Sequence, residues 1–345
     1  MIRNVKTRRM NVVLLKLACS ALLFPATLYA IDSDREDVQS FMEKLVTEHG
    51  FEREYLESML NQGETQQSIL DAISKPAERT KAWYEYREIF VTPKRISAGV
   101  KFWNEHRERL ERISAETGVP AQIIAAIIGV ETYYGTRTGS YRVIDSLTTL
   151  GFDYPPRSKF FRSELEQLFL LARDEDLKLD DIKGSYAGAL GPPQFIPSSY
   201  RNYAVDGDGD GRRDLFENWD DVLASVANYF VEHHWRRDEP TASRGILHAE
   251  ANIPIKKNGL KLTSTVAELK KRGILFDTEL DKSAKAELIS LEGADEQEYW
   301  VGFHNFYVIT RYNRSVMYAL SVYQLSEELA ARFDAESQLA RNLEQ

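Results

Sequence analysis

The stretch AAIIGVETYYG, Ala125 to Gly135, places a carboxylate, Glu131, at the end of an almost wholly apolar run. The run begins at Pro120 and continues through Gln122, Ile123, Ile124, Ile127, Ile128 and Val130, so a helix made from it has no polar face and must be buried on nearly every side. An ionised carboxylate in such surroundings has to be paired, or it shifts its pKa upward and takes up a proton. With Gly135 as the expected end of the helix, Glu131 falls in the last turn, where the negative end of the helix dipole acts in the same direction. A carboxyl group kept protonated near neutral pH is what a general acid requires. From the residues alone, a buried acid paired to an arginine for structural reasons is the commoner case.

The whole chain has 345 residues, 43% hydrophobic and 28% charged, an ordinary globular composition with room for one large core or two to three small ones. Residues 1–30 stand apart. Arg3, Lys6, Arg8 and Arg9 precede Val12 to Leu15, a second apolar stretch runs from Leu17 to Leu28, and Tyr29-Ala30-Ile31-Asp32 follows. This reads as a secretory signal with cleavage near Ala30. An uncleaved membrane anchor is the alternative, but Lys16 and Pro25 interrupt the apolar run. Cys19 is the only cysteine and lies inside the signal, so the mature chain is expected to carry no thiol and no disulfide. Cys19 could instead be the cysteine of an outer-membrane lipoprotein, but Lys16 stands where a lipobox wants an aliphatic residue. The expectation is a soluble periplasmic protein. Five cations and no acids leave with the signal, which takes the formal charge from −9 to −14, so nucleic acid is excluded as a natural partner.

Residues 31–95 read as a helical domain, with Val38, Phe41, Met42, Leu45 and Val46, then Tyr55, Leu56, Met59 and Leu60, at helical spacing. Residues 96–244 open with a long amphipathic helix from Ile96 to Ser114, stopped by Gly118 and Pro120, and continue through the Glu131 helix, a helix from Phe160 to about Glu175 and one near Val222 to Glu232. From 245 to 306 short apolar runs, Ala251 to Ile255, Gly259 to Leu262, Ala286 to Leu291 and Tyr299 to Phe303, are broken by Gly, Asn and Asp, which predicts a small β-rich domain. Residues 307–345 form a C-terminal segment, helical from Val316 to Ala331. The fold class is mainly α, of α+β type.

Asp206 to Glu217 reads DGDGDGRRDLFE, which fits the EF-hand loop: acids at positions 1, 3 and 5 (Asp206, Asp208, Asp210), Gly211 at 6, Asp214 at 9 and Glu217 at 12. Alternate placement lets three carboxylates, the Arg212 carbonyl, Asp214 and a bidentate Glu217 converge on Ca2+ while Gly211 permits the sharp turn. The alternative is a solvated acidic turn. A single loop of this kind is expected to hold a structural ion rather than to act as a sensor. Other chemistries find no support: there is no G-x-S-x-G, P-loop or H-E-x-x-H pattern, and His233 and His234 are adjacent and point apart on a helix. Tyr133, Tyr134, Tyr186, Phe195, Tyr200 and Tyr312 crowd the same motifs, either as core or as flat faces for sugar rings.

Through GVETYYG, RVIDSLTTLGFDYPPRSKFF, SYAGALGPPQFIPSSYRNYAVD and NFYVITRYNRSVMYA, the sequence resembles the lytic murein transglycosylase B family over about Asp37 to Leu329. The resemblance implies that residues 96–244 are a lysozyme-like helical catalytic core, with 307–345 completing its groove and the helical domain. It implies Glu131 as the sole catalytic acid and base, Ser185, Gln194, Tyr312 and Asn313 as substrate-binding residues, and Tyr86 and Tyr318 as aromatic positions of the groove. It also implies an ion in the loop after Gln194 and no cofactor for the chemistry. The expected partner is the peptidoglycan glycan strand, with cell-wall synthases or amidases as further partners and a monomer as the working unit. Pro192-Pro193 departs from the family's pattern, as does the missing lipobox. One carboxylate where ordinary glycosidases use two implies an intramolecular nucleophile, the C6 hydroxyl of N-acetylmuramic acid, and a 1,6-anhydro product. Asp145 and Asp153 are the acids that could serve as a second carboxylate in a lysozyme-type hydrolase. The other alternative is a calcium-stabilised glycan-binding protein without turnover.

Overall fold

A computed structural model describes residues 29–74, 81–249, 251 and 258–343. Residues 1–28 of the expected export signal, Cys19 included, and most of the run Ala251 to Ile255 therefore lie outside the described residues. The chain opens with β1 (Tyr29–Ala30), α1 (Glu36–His49), α2 (Arg53–Asn61), β2 (Glu64–Thr65) and α3 (Gln67–Ile73), with β1 and β2 paired antiparallel. Then come α4 (Trp83–Phe90), α5 (Pro93–Glu105), α6 (Arg107–Thr117), α7 (Ala121–Thr132), β3 (Tyr141–Arg142), α8 (Val143–Asp153) and α9 (Ser158–Asp174). β4 (Lys183–Gly184), α10 (Pro197–Tyr203) and α11 (Trp219–Glu232) follow. A mostly β region comes next: β5 (Ala242–Leu247), β6 (Ser264–Thr265), α12 (Val266–Lys271), β7 (Ile274–Leu275), β8 (Lys285–Glu292) and β9 (Gln297–Gly302). Finally α13 (His304–Tyr312) and α14 (Val316–Leu343) return to the helical body. The architecture is a helical body carrying a small antiparallel sheet of order β6-β8-β9-β5-β7, as the α+β expectation required.

The apolar stripes do what their spacing dictates. Val38, Met42 and Leu45 of α1 meet Leu56 and Leu60 of α2 and Ile69 of α3 in the main core, all shielded from water. Phe41 then packs edge-on against Phe152 of α8 at 5.8 Å, and Arg35 to Asp153 (2.7 Å) and Lys44 to Glu166 (2.6 Å) tie the first helices to α8 and α9. The sheet alternates along β8. Ala286 and Leu288 join a second, small core with Val266, Leu269, Ile274, Phe276, Val301 and Phe303, while Ile289 and Leu291 face the main core.

Several boundaries differ from the sequence reading. The long helix expected over 96–114 begins at Pro93, capped by the Thr92 hydroxyl, and breaks at His106 into α5 and α6. His106 is buried between Phe102 (4.5 Å) and Trp219 (4.9 Å), so a tertiary contact from α11 overrides local periodicity. The sheet starts at Ala242, Gly259 to Leu262 is no strand, and α14 runs twelve residues past Ala331.

α7 packs against α5, α6, α11 and α14, and of its residues only Gln122 and Glu131 keep appreciable contact with solvent. Two glycines make room for this packing. The Tyr134 ring folds back between α5 and α7, where a Cβ on Gly129 would lie 2.7 Å from its Cε1 and a Cβ on Gly99 would lie 2.2 Å from its hydroxyl. Gly129→Ala is therefore expected to cost about 1–3 kcal/mol, the usual penalty of overpacking. In a double-mutant cycle by denaturant melts, Gly129→Ala combined with Tyr134→Ala should lose less than the sum of the single changes. An additive cycle would show that the ring is not what the glycine accommodates.

Candidate active site

The helix that carries Glu131 ends three residues earlier than Gly135. Thr132 is its last residue, and Tyr133 (φ 52°), Tyr134 (φ 60°) and Gly135 (φ 79°) are left-handed in succession. Two of the three have a Cβ, which makes the turn costly and dependent on outside support. The support comes from Thr132, wholly buried, whose hydroxyl accepts from the Gly135 N–H (3.1 Å) and donates to the Pro192 carbonyl (2.8 Å). The Tyr134 N–H closes on the Ile128 carbonyl at 3.1 Å. The effect is to bring Glu131 to the rim of the core. It is half-buried rather than enclosed, because the helix runs out where the protein does.

Tyr318, at the start of α14 and 2% exposed, donates its hydroxyl to Glu131 Oε1 at 2.5 Å. Burial and the neighbouring Glu131 charge push the Tyr318 phenol far above its ordinary range, and Tyr86 and Tyr312 add to the shift. Tyr312 is raised for the same first two reasons, so both phenols stay neutral donors beside the carboxylate. Tyr312 donates to the Pro193 carbonyl (2.7 Å), and its ring rests among Phe195, Tyr229 and Phe230. Tyr86, on α4, is 2% exposed and lies against Phe90, and it is close enough to Tyr318 to oppose its ionisation.

The segment from Ser185 to Phe195 carries the next of the expected residues. Two isolated bridges, Gly184 with Leu190 and Leu190 with Phe195, fold it into a compact loop. The Ser185 hydroxyl accepts from the Ala187 (3.2 Å) and Ala189 (3.0 Å) N–H groups, which leaves its own proton to donate outward. Gln194 adopts φ 52°, and its amide nitrogen donates to the carbonyls of Thr138 (3.0 Å) and Gly191 (2.9 Å), so its amide oxygen is the function left for a ligand. Pro192 and Pro193 each offer a carbonyl to the site, to Thr132 and to Tyr312, and no N–H is needed from either. Asn313 ends α13 half-buried, its carbonyl accepting from Ser315 (2.7 Å). The structure thus joins Tyr318 to Glu131 by a hydrogen bond, places Tyr312 and Tyr86 near enough to raise the Tyr318 phenol, and ties Gln194's turn to Thr132 and Tyr312 through Pro192 and Pro193.

The two other acids have different employment. Asp145, 1% exposed, faces Arg142 (3.5 Å) and Gln66 (3.4 Å), and Asp153 is bound by Arg35 (2.7 Å) and Thr65 (2.9 Å). Both tie α8 to the N-terminal helices. Thr132 and the proline carbonyls escaped the sequence reading, because nothing local marks a hydroxyl or a carbonyl that reaches 60 residues along the chain.

In the acidic loop the oxygens of Asp206, Asp208 and Asp210 lie within 4.8 Å of one another. Asp206 accepts from the N–H groups of Gly211 (2.8 Å), Gly209 (2.7 Å) and Asp210 (3.1 Å), which hold its carboxyl below the ordinary range. None of the three is in an ion pair with Lys or Arg among the described residues. The Asp214 carboxylate instead accepts from Phe216 (2.8 Å) and Glu217 (3.2 Å), and Glu217 is exposed outside the three-acid cluster. Asp221, fully buried, braces the loop by accepting from Gly207 and Asp214, each at 2.7 Å. The Leu215 carbonyl, near the loop's exit, lies against Gly191, where a Cβ would come within 2.0 Å of it. Three unneutralised, converging hard oxygens with a pre-formed backbone suit a calcium ion.

Residues 33–327 match the family model described as Transglycosylase SLT domain. Membrane-bound lytic murein transglycosylase B of Escherichia coli K12 is 40% identical over 309 residues, covering 86% of this chain and 84% of its own. Among solved structures, the catenated lytic transglycosylase SltB1 from Pseudomonas aeruginosa superposes with a TM-score of 0.82 at 48% identity, covering 87% of this chain and 98% of that one. The Escherichia coli lytic transglycosylase Slt35 in complex with calcium does so with 0.80 at 38% identity, covering 89% and 96%. A match that spans the helical body and the sheet together, in a chain whose glutamate is braced by a buried tyrosine, places this protein in the lytic murein transglycosylase B family.

Proposed function

We propose that Glu131 is the single acid and base of a lytic transglycosylase that cuts the β-1,4 bond between N-acetylmuramic acid and N-acetylglucosamine and leaves a 1,6-anhydro-N-acetylmuramic acid end. The observation that carries this reading is the Tyr318 hydroxyl on Glu131 Oε1, which fixes the carboxyl group at the core's rim. Protonated Glu131 gives its proton to the glycosidic oxygen as the bond from C1 of N-acetylmuramic acid breaks. The C6 hydroxyl of the same sugar then bonds to C1, and Glu131 takes that hydroxyl's proton back. Atoms balance without water, and the nucleophile's high effective concentration removes the need for a second carboxylate. The engagement of Asp145 and Asp153 with other partners supports the single-carboxylate route. Ser185 and Gln194 offer a donor and an acceptor to the sugar's polar groups, Asn313 borders the groove, and Tyr86, Tyr312 and Tyr318 hold its floor.

The loop Asp206 to Glu217 is assigned to calcium, with Asp206, Asp208 and Asp210 already together and the Arg212 carbonyl, Asp214 and Glu217 completing the oxygen set as the ion binds. The ion would supply positive charge against the repulsion of the clustered acids and take no part in bond cleavage. The calcium complex of Slt35 supports the assignment. For residues 1–30 the composition supports export and release into the periplasm, whereas the Escherichia coli relative is named as membrane-bound.

Glu131→Gln keeps size and polarity but can neither give nor take the proton. It should melt like wild type, still bind glycan strands, and lose at least about 10³ to 10⁴ in turnover. Wild-type digestion of purified sacculi, read by mass, should yield muropeptides one water lighter than hydrolysis products and without a reducing end; reducing-end products would move the assignment to lysozyme-type hydrolysis. Calcium added to chelator-treated protein should raise Tm, with about 2.7 kcal/mol gained at a hundred times the Kd. The gain should vanish in Asp210→Ala; a wild-type Tm indifferent to calcium would leave the loop an acidic turn. Fractionation with N-terminal sequencing should recover a soluble chain starting near Ile31, and a diacylglyceryl-modified Cys19 at the first residue would contradict that.

A further inference from the structure

We infer that Arg95 is a positioning residue for Glu131: its guanidinium grips the last turn of α7 at Gly129 and the turn beyond it at Tyr133, so that Glu131 is held from both sides. Arg95 lies in the first turn of α5 and is only 7% exposed. Its Nη1 donates to the Gly129 carbonyl at 3.0 Å. Its guanidinium carbon stands 5.1 Å from the centre of the Tyr133 ring and 5.2 Å from that of Phe90. Residues 129 and 133 are the second before and the second after Glu131.

The role is separable from fold stability on physical grounds. Among the described residues no carboxylate comes within ion-pair distance of Arg95, and its Nε has no hydrogen-bond partner. Burial lowers its affinity for a proton, the mark of a cation that the fold accommodates at a cost. What the cation receives in return is the negative end of α7, whose last carbonyls have lost their helical partners. A cation–ring contact on Tyr133 also steadies the first of the left-handed residues, which need support from outside the turn. Arg137 covers the same ring at 5.0 Å, and the Tyr133 hydroxyl reaches the Lys94 carbonyl at 3.4 Å, so the ring is clasped between α5 and the chain that leaves α7. Gly129 and Tyr133, which flank Glu131, are therefore both tied to α5.

This inference rests on Glu131 as the acid and base, and the test runs Glu131→Gln beside it. Arg95→Met keeps the length of the stem and removes both the donor and the charge. Turnover and KM on soluble glycan strands and Tm by calorimetry are measured for Arg95→Met, Arg95→Lys and Tyr133→Leu. A displaced acid of well under 1 Å should lower kcat about 10- to 100-fold in Arg95→Met, with KM within about twofold of wild type. Tm should fall by no more than a few degrees, because losing the Gly129 carbonyl's donor is offset by removing an incompletely paired buried cation. Arg95→Lys, which can still donate to the Gly129 carbonyl, should recover part of the lost kcat. Tyr133→Leu should show the same loss of kcat at constant KM, and serves if Arg95→Met does not fold. Wild-type kcat in Arg95→Met, or losses of kcat that follow losses of Tm with no recovery by lysine, would overturn the inference. If Glu131→Gln is inactive and Arg95→Met is not impaired, only the role of Arg95 fails; if Glu131→Gln remains active, the reading of Glu131 itself fails.

Discussion

A helix without a polar face has to be brought to an end where it leaves the core, and α7 meets that constraint at Glu131, at the core's rim. Its last turn is tied down there by neighbouring elements. Arg95 of α5 takes the Gly129 carbonyl, Thr132 latches onto Pro192, and Tyr318 of α14 meets the carboxylate. Each partner comes from a different part of the chain. The contacts that terminate the buried helix are also the ones that hold the Glu131 carboxyl in place.

The proline carbonyls extend this frame to the loop from Ser185 to Phe195. Pro192 and Pro193 accept from Thr132 and Tyr312, and the backbone between them leads into the left-handed Gln194. On its other side the same turn leans through Gly191 on Leu215, near the exit of the acidic loop. The acidic loop is braced in turn by Asp221 and by Tyr200, whose hydroxyl donates to Arg213 and accepts from Leu215. The acidic loop and the Gln194 turn are thus neighbours in packing as well as in sequence.

What was legible in the sequence was local. The Glu131 run announces itself because apolar residues on every side of a helix leave few places for it to go, and the DGDGDGRRDLFE loop because its acids recur at fixed intervals. What was not legible depends on distant partners. Nothing within Ile96 to Ser114 says that His106 will be packed against Trp219 and break the helix there. Gly135 was the obvious stop for α7 by propensity, yet tertiary contacts hold Tyr133 in the conformation a glycine would have supplied. The full burial expected for Glu131 failed for a simple reason: the helix's last turn reaches the surface, as its first does at Gln122, although the turns between do not. Tyr318 meets Glu131 across 187 residues, and only the family resemblance pointed to it beforehand.

The Tyr134 ring fills a slot whose two sides are Gly99 and Gly129, thirty residues apart on different helices. No one of these three positions is free to vary by itself. A side chain at either glycine collides with the ring, and a smaller residue in place of the tyrosine leaves a void between α5 and α7. Heritable change here has to arrive as a set, so in related chains a bulkier residue at one glycine should be accompanied by a different aromatic, or none, at position 134.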